Sequence, residues 1–195
     1  MIRVTGKAEI EIKPDTAIIT IRAEAVDDWT GDAVTRTASL VNKVLDKLRN
    51  EHSVLLKDIK TTTLILSTDK EYSNGRTIVH GQKAEESIIL TLHDIEKIGP
   101  IFSSLAAIDG IEISSPILTS SEMDANLDKA RKLAIENAIH KAKTYAEAAS
   151  IRLGRILSIK EIPFSEPIAI RSSIDYLPQD LKATAAIEAE FETES

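Results

Sequence analysis

Cysteine is absent from the 195 residues, which excludes disulfides, thiolate nucleophiles and cysteine-ligated zinc. Long apolar runs are absent too, and nothing approaches the roughly 20 consecutive apolar residues that a membrane-spanning helix requires. The seven glycines stand apart, so neither a G-x-G-x-x-G nor a G-x-x-x-x-G-K-[ST] phosphate loop exists. Serine pairs occur at 103–104, 114–115, 120–121 and 172–173, but none sits in a G-x-S-x-G elbow. Basic residues are the minority, 24 against 31 acidic, giving a net charge of −7. That balance argues against nucleic acid, whose binding rests on clustered Lys and Arg displacing counterions from phosphates. The opening Met1-Ile2-Arg3-Val4 lacks the basic and apolar segments of a secretory signal. As it stands the chain reads as cytoplasmic, or as periplasmic or extracellular if a leader has been removed.

Enough apolar material is present, at 43%, for one sizeable core or two modest ones, which excludes intrinsic disorder. Ala8, Ile10 and Ile12 alternate with Glu9, Glu11 and Lys13. Pro14-Asp15 follows, and then Ala17, Ile19, Ile21, Ala23 and Ala25 alternate with polar residues. The pattern predicts a β-hairpin over the first thirty residues. Val34, Ala38, Val41, Val44 or Leu45, and Leu48 predict an amphipathic helix from about Thr30 to His52. Asp58 to Leu66 reads as a strand. Asn74-Gly75 is a hairpin turn that leads into a return strand from Thr77 to Leu92. Because both strands look long, this hairpin is expected to project beyond the sheet.

A second helix is predicted over about Asp94–Ala107, with Asp94 as its cap, a short opening turn, and the helix proper from Pro100. Ile111–Thr119 reads as a strand whose Pro116 marks an edge or bulge. The third helix opens on a capping box, Ser121 with Asp124. Its stripe is Leu127, Ala130, Ala134, Ala138, Ala142, Tyr145 and Ala149, so small that the helix should lie close against a sheet. Arg155–Glu161 is another strand. The last strand places Ala183, Ala185, Ile187, Ala189 and Phe191 on one face, and Glu188, Glu190, Glu192 and Glu194 form an acidic row on the other. That row reads as protection of a sheet edge. Two strand–helix–strand segments, 15–66 and 84–119, hint at duplication.

Several segments together resemble the SIMPL-domain family. They are Val4-Thr5-Gly6, Pro14-Asp15-Thr16-Ala17, Asp58-Ile59-Lys60-Thr61, and the alanine helix from Ala130-Arg131 to Leu153-Gly154. The resemblance spans nearly the whole chain in order. It implies an α+β protein of repeated strand–helix units that self-assembles, in a bacterial family of exported or envelope proteins, some linked to oxidative-stress tolerance. It transfers no catalytic residue. Two departures concern turns: Lys7-Ala8 lacks the family's second early glycine, and Pro178-Gln179-Asp180 replaces its Pro-Gly.

Candidate chemistry is thin. Glu136 and His140 share a helix face away from the alanine stripe, which predicts a solvent-exposed pair. His93-Asp94 falls at a strand–helix junction and suits capping, while His52 and His80 have no ligand-spaced neighbour. No metal, cofactor or catalytic residue is therefore expected. By elimination the irregular connection 163–181 is the candidate interaction surface, through Phe164, Ile168, Ile170, Ile174, Tyr176 and Leu177.

The expected fold is α+β, with antiparallel-rich mixed sheets built from strand–helix–strand units and three helices packed on them. The expected organisation is a single SIMPL-like domain over 1–195. It would have two sub-lobes, about 1–80 with the C-terminal strand and about 81–162. The expected function is that of a non-enzymatic protein that homo-oligomerises through loop 163–181, the 66–80 hairpin or an edge strand. The alternatives are a binding module for a small molecule or partner protein, with a cleft between the lobes, and an uncharacterised hydrolase.

Overall fold

Alternating side chains make strands of Ile2–Ile12 (β1) and Leu181–Glu194 (β9), and these two find each other from opposite ends of the chain, Ile2 opposite Phe191 and Ile12 opposite Leu181. Between them the computed structural model places β2 (Thr16–Asp27), α1 (Thr30–Asn50), β3 (Ile59–Thr61), β4 (Ile65–Ser73), β5 (Arg76–Leu92), α2 (Ile98–Leu105), β6 (Ile111–Ile113), β7 (Ile117–Thr119), α3 (Met123–Ala148) and β8 (Arg152–Ile162). The structure describes residues 1–73, 75–163 and 180–194. Among the described residues the fold is α+β, with three α-helices on antiparallel sheets. Among the described residues no helix is long and apolar enough to cross a membrane.

Two compact units result, Met1–Pro14 with Ser120–Ser195, and Asp15–Thr119. The unit boundaries fall at 14/15 and 119/120. The cause is strand partnership. β1 does not form the hairpin with β2 that Pro14-Asp15 suggested; it pairs with β9, while β2 pairs with β5. Proline followed by aspartate suits a crossover between sheets as well as a tight turn.

In the first unit the order is β1-β9-β8, all antiparallel, with α3 on one face. Val4, Ile187 and Phe191 meet Ala130, Ala134, Ala138 and Ala142 there. The buried stripe of α3 is Asn126, Ala130, Ala134, Ala138, Ala142 and Ala146, whereas Tyr145 and Ala149 are exposed. A row of strict i+4 steps slants across a helix surface, so the contact line drifts away from those two residues. The helix start differs as well. Its N-cap is Glu122, whose amide is held by Ser120 Oγ at 3.2 Å, in place of a box built on Ser121.

β9 is the central strand, so its acidic row does not guard an edge. Glu190 pairs with Arg3 of β1 and accepts from Ser158 of β8, and Glu192 pairs with Arg155 at 3.4 Å.

The second unit has sheet order β3-β5-β2-β6, with β4 extending along β5 and β7 along β2. All its pairings are antiparallel. The segments β2-α1-β3 and β5-α2-β6 interleave as two split βαβ units in one sheet. Ile19, Ile21, Ile88 and Leu90 of the sheet pack with Val44, Leu48, Ile101 and Leu105 of the helices, each fully buried. Burial of such a side chain contributes about 1.5–3 kcal/mol. Thr37 of α1 is fully buried as well, and its hydroxyl donates to the Ala84 carbonyl at 3.0 Å.

The expected single strand from Asp58 to Leu66 is broken. Leu56–Asp58 form a 3-10 turn, and β3 and β4 are separate strands. Between them Thr62 continues the pairing with Ser87, its amide donating to the Ser87 carbonyl at 2.8 Å and its Oγ1 accepting from the Ser87 amide at 3.0 Å. Pro116 likewise splits the predicted 111–119 strand into β6 and β7.

Candidate functional site

Phe164, Ile168, Ile170, Ile174, Tyr176 and Leu177 all lie outside the described residues. His80, His93 and His140 lie apart on the surface, whereas His52 is half-buried, its Nε2 buried without a hydrogen-bond partner. Glu136 and His140 are both exposed on α3. His93 is not a cap: Asp94 alone caps the next turn, accepting from the Glu96 amide at 3.1 Å, while His93 Nε2 lies 3.3 Å from Asp58 Oδ1 on the surface. His80 Nε2 lies 3.5 Å from Glu71 Oε2. These last two pairs join residues distant in sequence, and spacing could not reveal them. Among the described residues no three His, Asp or Glu side chains converge as a metal site. Serine hydroxyls go elsewhere, Ser104 donating to Glu51 at 2.7 Å and Ser158 to Glu190 at 3.2 Å. One concavity, lined by Leu127, Glu161, Ile162, Pro163, Thr184 and Ala185, has a buried Thr184 hydroxyl without a hydrogen-bond partner.

The feature that departs from an ordinary surface is the β4–β5 hairpin. Its turn is tight, Ser73 pairing with Arg76, and Gly75 takes φ +77°, which a side chain disfavours. β5 is paired with β2 only as far as Gln82, opposite Asp27; beyond that point β4 and β5 run on as a two-stranded ribbon. Gly81 sets the departure, with φ +152° and room for only a hydrogen, since a Cβ there would lie 2.6 Å from the Asp27 carbonyl oxygen. The register shifts between Asp69 and Lys70, leaving His80 as the extra residue of a bulge.

The hairpin carries large apolar side chains in solvent. Tyr72 is 76% exposed, Val79 61%, Ile78 47%, Ile65 58% and Leu66 52%. Trp29, the sole tryptophan, is 73% exposed two residues past the end of β2. Over residues 65–81 Asp69 and Glu71 balance Lys70 and Arg76, so the ribbon is formally neutral in a chain of −7. Asp27 at its root is held below the usual carboxylate range, chiefly by hydrogen bonding to Arg36 at 3.0 Å. Lys83 is raised, first by its hydrogen bond to Glu24 at 3.0 Å. The projection of this hairpin was legible from Asn74-Gly75 and the strand lengths, though Asn74 itself lies outside the described residues.

The family model SIMPL, described as a protein of unknown function (DUF541), matches residues 2–191. The chain is similar to "Uncharacterized protein YggE" of Escherichia coli (strain K12), at 28% identity over 156 residues, covering 80% of this chain and 63% of the relative. It is also similar to the "26 kDa periplasmic immunogenic protein" of Brucella abortus (strain S19), 28% identical over 177 residues, and of Brucella melitensis, 26% over 175. Those matches cover 86% of this chain and 70% of each relative. The chain thus spans less than two thirds of the YggE relative and somewhat more of the Brucella proteins. With its motifs in order and the model matching from β1 to Phe191 of β9, the chain belongs to the SIMPL (DUF541) family.

Proposed function

We propose that this chain is a non-catalytic interaction protein that associates with copies of itself, and that the β4–β5 hairpin is the contact. The observation that carries the reading is the ribbon's exposed Tyr72, Ile78 and Val79. An isolated two-stranded ribbon is marginal in water, and apolar side chains on it gain most from burial against a partner. Formal neutrality suits the same role, because copies of a −7 chain repel least where local charge cancels. The Brucella relatives carry "periplasmic" in their name, and the same compartment is proposed for this chain.

Light scattering coupled to size exclusion tests the association. A mass of two or more chains is expected, and a mass that stays near 21.4 kDa up to near-millimolar concentration refutes it. Deleting residues 70–79 and rejoining β4 to β5 through a two-residue turn should return the mass to that of a monomer.

A further inference from the structure

The sheet edges of this protein are defended unequally. β1 is covered by α3, whose Lys141 donates to the Thr5 carbonyl at 2.8 Å and whose Asn137 accepts from the Lys7 amide at 3.3 Å. β8 is interrupted by two register shifts, between Leu153 and Ile156 and between Ile156 and Ser158, and carries Arg152, Arg155 and Lys160. β3, β6 and β7 are three residues each. β4 carries Asp69, Lys70 and Glu71 in succession. Short length, bulges, charges and covering helices are the devices that keep an edge from pairing with another chain.

The stretch Arg76–Gly81 of β5 is the exception. β2 stops at Asp27, opposite Gln82, so β5 beyond that point is paired on its β4 side alone among the described residues. Thr77, Ile78 and Val79 are three consecutive β-branched residues, all exposed, in a segment without an acidic side chain.

We infer that this open edge pairs antiparallel with the same edge of a second copy, joining two sheets across a two-fold axis. The inference rests on the self-association reading above and names its contact. Centred on Ile78, the pairing sets Ile78 against its own counterpart and Thr77 against Val79 of the second copy. Positions of equal parity meet, so side chains share a face, as antiparallel pairing requires. The incoming strand continues the line of β2. Arg76 of the second copy then falls two positions along from Asp27, about 7 Å, beside the Asp27-Asp28 end of β2. The relation is reciprocal: each copy brings a cation to the other's acidic strand end. That complementarity makes a second copy the occupant. Asp27 already holds Arg36, which leaves the exposed Asp28 to receive Arg76.

The experiment measures the dimer dissociation constant at low ionic strength, by light scattering and by the emission of Trp29 on dilution, since Trp29 follows Asp28 directly. Ile78→Lys should weaken association at least about tenfold, and Arg76→Glu by about five- to tenfold. The swap Arg76→Glu with Asp28→Arg should recover most of the loss. Arg76, Ile78 and Asp28 are exposed, so circular dichroism should be unchanged in each. A wild-type protein that associates while both single variants match it overturns the edge pairing and leaves self-association standing through another surface. A monomeric wild type overturns both. Equal weakening by Arg76→Glu and by the double swap overturns the charge reciprocity that fixes the partner's register.

Discussion

Gly6 of β1 lies so close to Ala134 of α3 that a Cβ on Gly6 would sit 1.9 Å from the Ala134 carbonyl oxygen. The same Cβ would lie 2.9 Å from Ala138 Cβ. A glycine on the strand and an alanine row on the helix are thus two halves of one close approach. It lets Lys141 and Asn137 reach the backbone of β1.

Gly6→Ala should therefore be among the most damaging single-methyl changes in the chain. Backbone cannot yield as a flexible side chain can, so a loss of about 3 kcal/mol or more is expected. Urea unfolding reads it as a fall in midpoint. A loss below about 1 kcal/mol would show that helix and strand separate freely.

Gly81→Ala tests the root of the ribbon. Positive φ and the nearby Asp27 carbonyl both oppose a side chain, and strain of this kind costs about 1–3 kcal/mol. Amide exchange should accelerate over Arg76–Gly81, while the Ile88 and Leu90 amides keep their relative protection. A uniform change across β5 would contradict a local effect.

Thr37→Val removes a buried hydroxyl and keeps the shape of the side chain. Its hydrogen bond to the Ala84 carbonyl ties α1 to β5, and the loss should be about 1 kcal/mol. A neutral result would mean that the Ala84 carbonyl finds another donor.

Acid should weaken the fold over a defined window. Glu9 is held below its ordinary value chiefly by its hydrogen bond to Lys182, Asp27 by Arg36, and Glu51 by Ser104 and then Lys47. A depressed carboxyl contributes stability above its unfolded-state pKa, 4.5 for Glu and 3.8 for Asp, and loses it as pH falls through the folded value. Urea midpoints should be level from neutrality to about pH 5 and should decline below it. Because the pairs are solvent-exposed the decline is shallow, and added salt should flatten it. Glu9→Gln should reduce the slope; a slope unchanged in that variant would remove Glu9 from the account.

What could be read from the amino acids followed local periodicity. α1 emerged from Val41, Leu45 and Leu48, β9 from its alternating alanines, and the hairpin from Gly75 between two long strands. Partner choice was less legible. Pro14-Asp15 looks the same whether the chain folds back or crosses to another sheet, and β1 chose β9 from the opposite end of the chain. The burial of Ala146 in place of Tyr145 depended on the slant of α3 over its sheet. The apolar residues singled out between 164 and 177 lie outside the described residues, while the described apolar surface at Tyr72, Ile78 and Val79 belongs to a hairpin whose strands had been read chiefly for length.

The sequence by itself determined the element types, because side-chain alternation and three-to-four spacing are set within a few residues. It also determined one close approach, since only glycine and alanine leave so little between strand and helix. Tertiary structure alone decided which strands became neighbours, and hence that β2 stops opposite Gln82 and leaves the six residues Arg76–Gly81 open. Such an edge has no local signature, because it is created by where a distant strand stops.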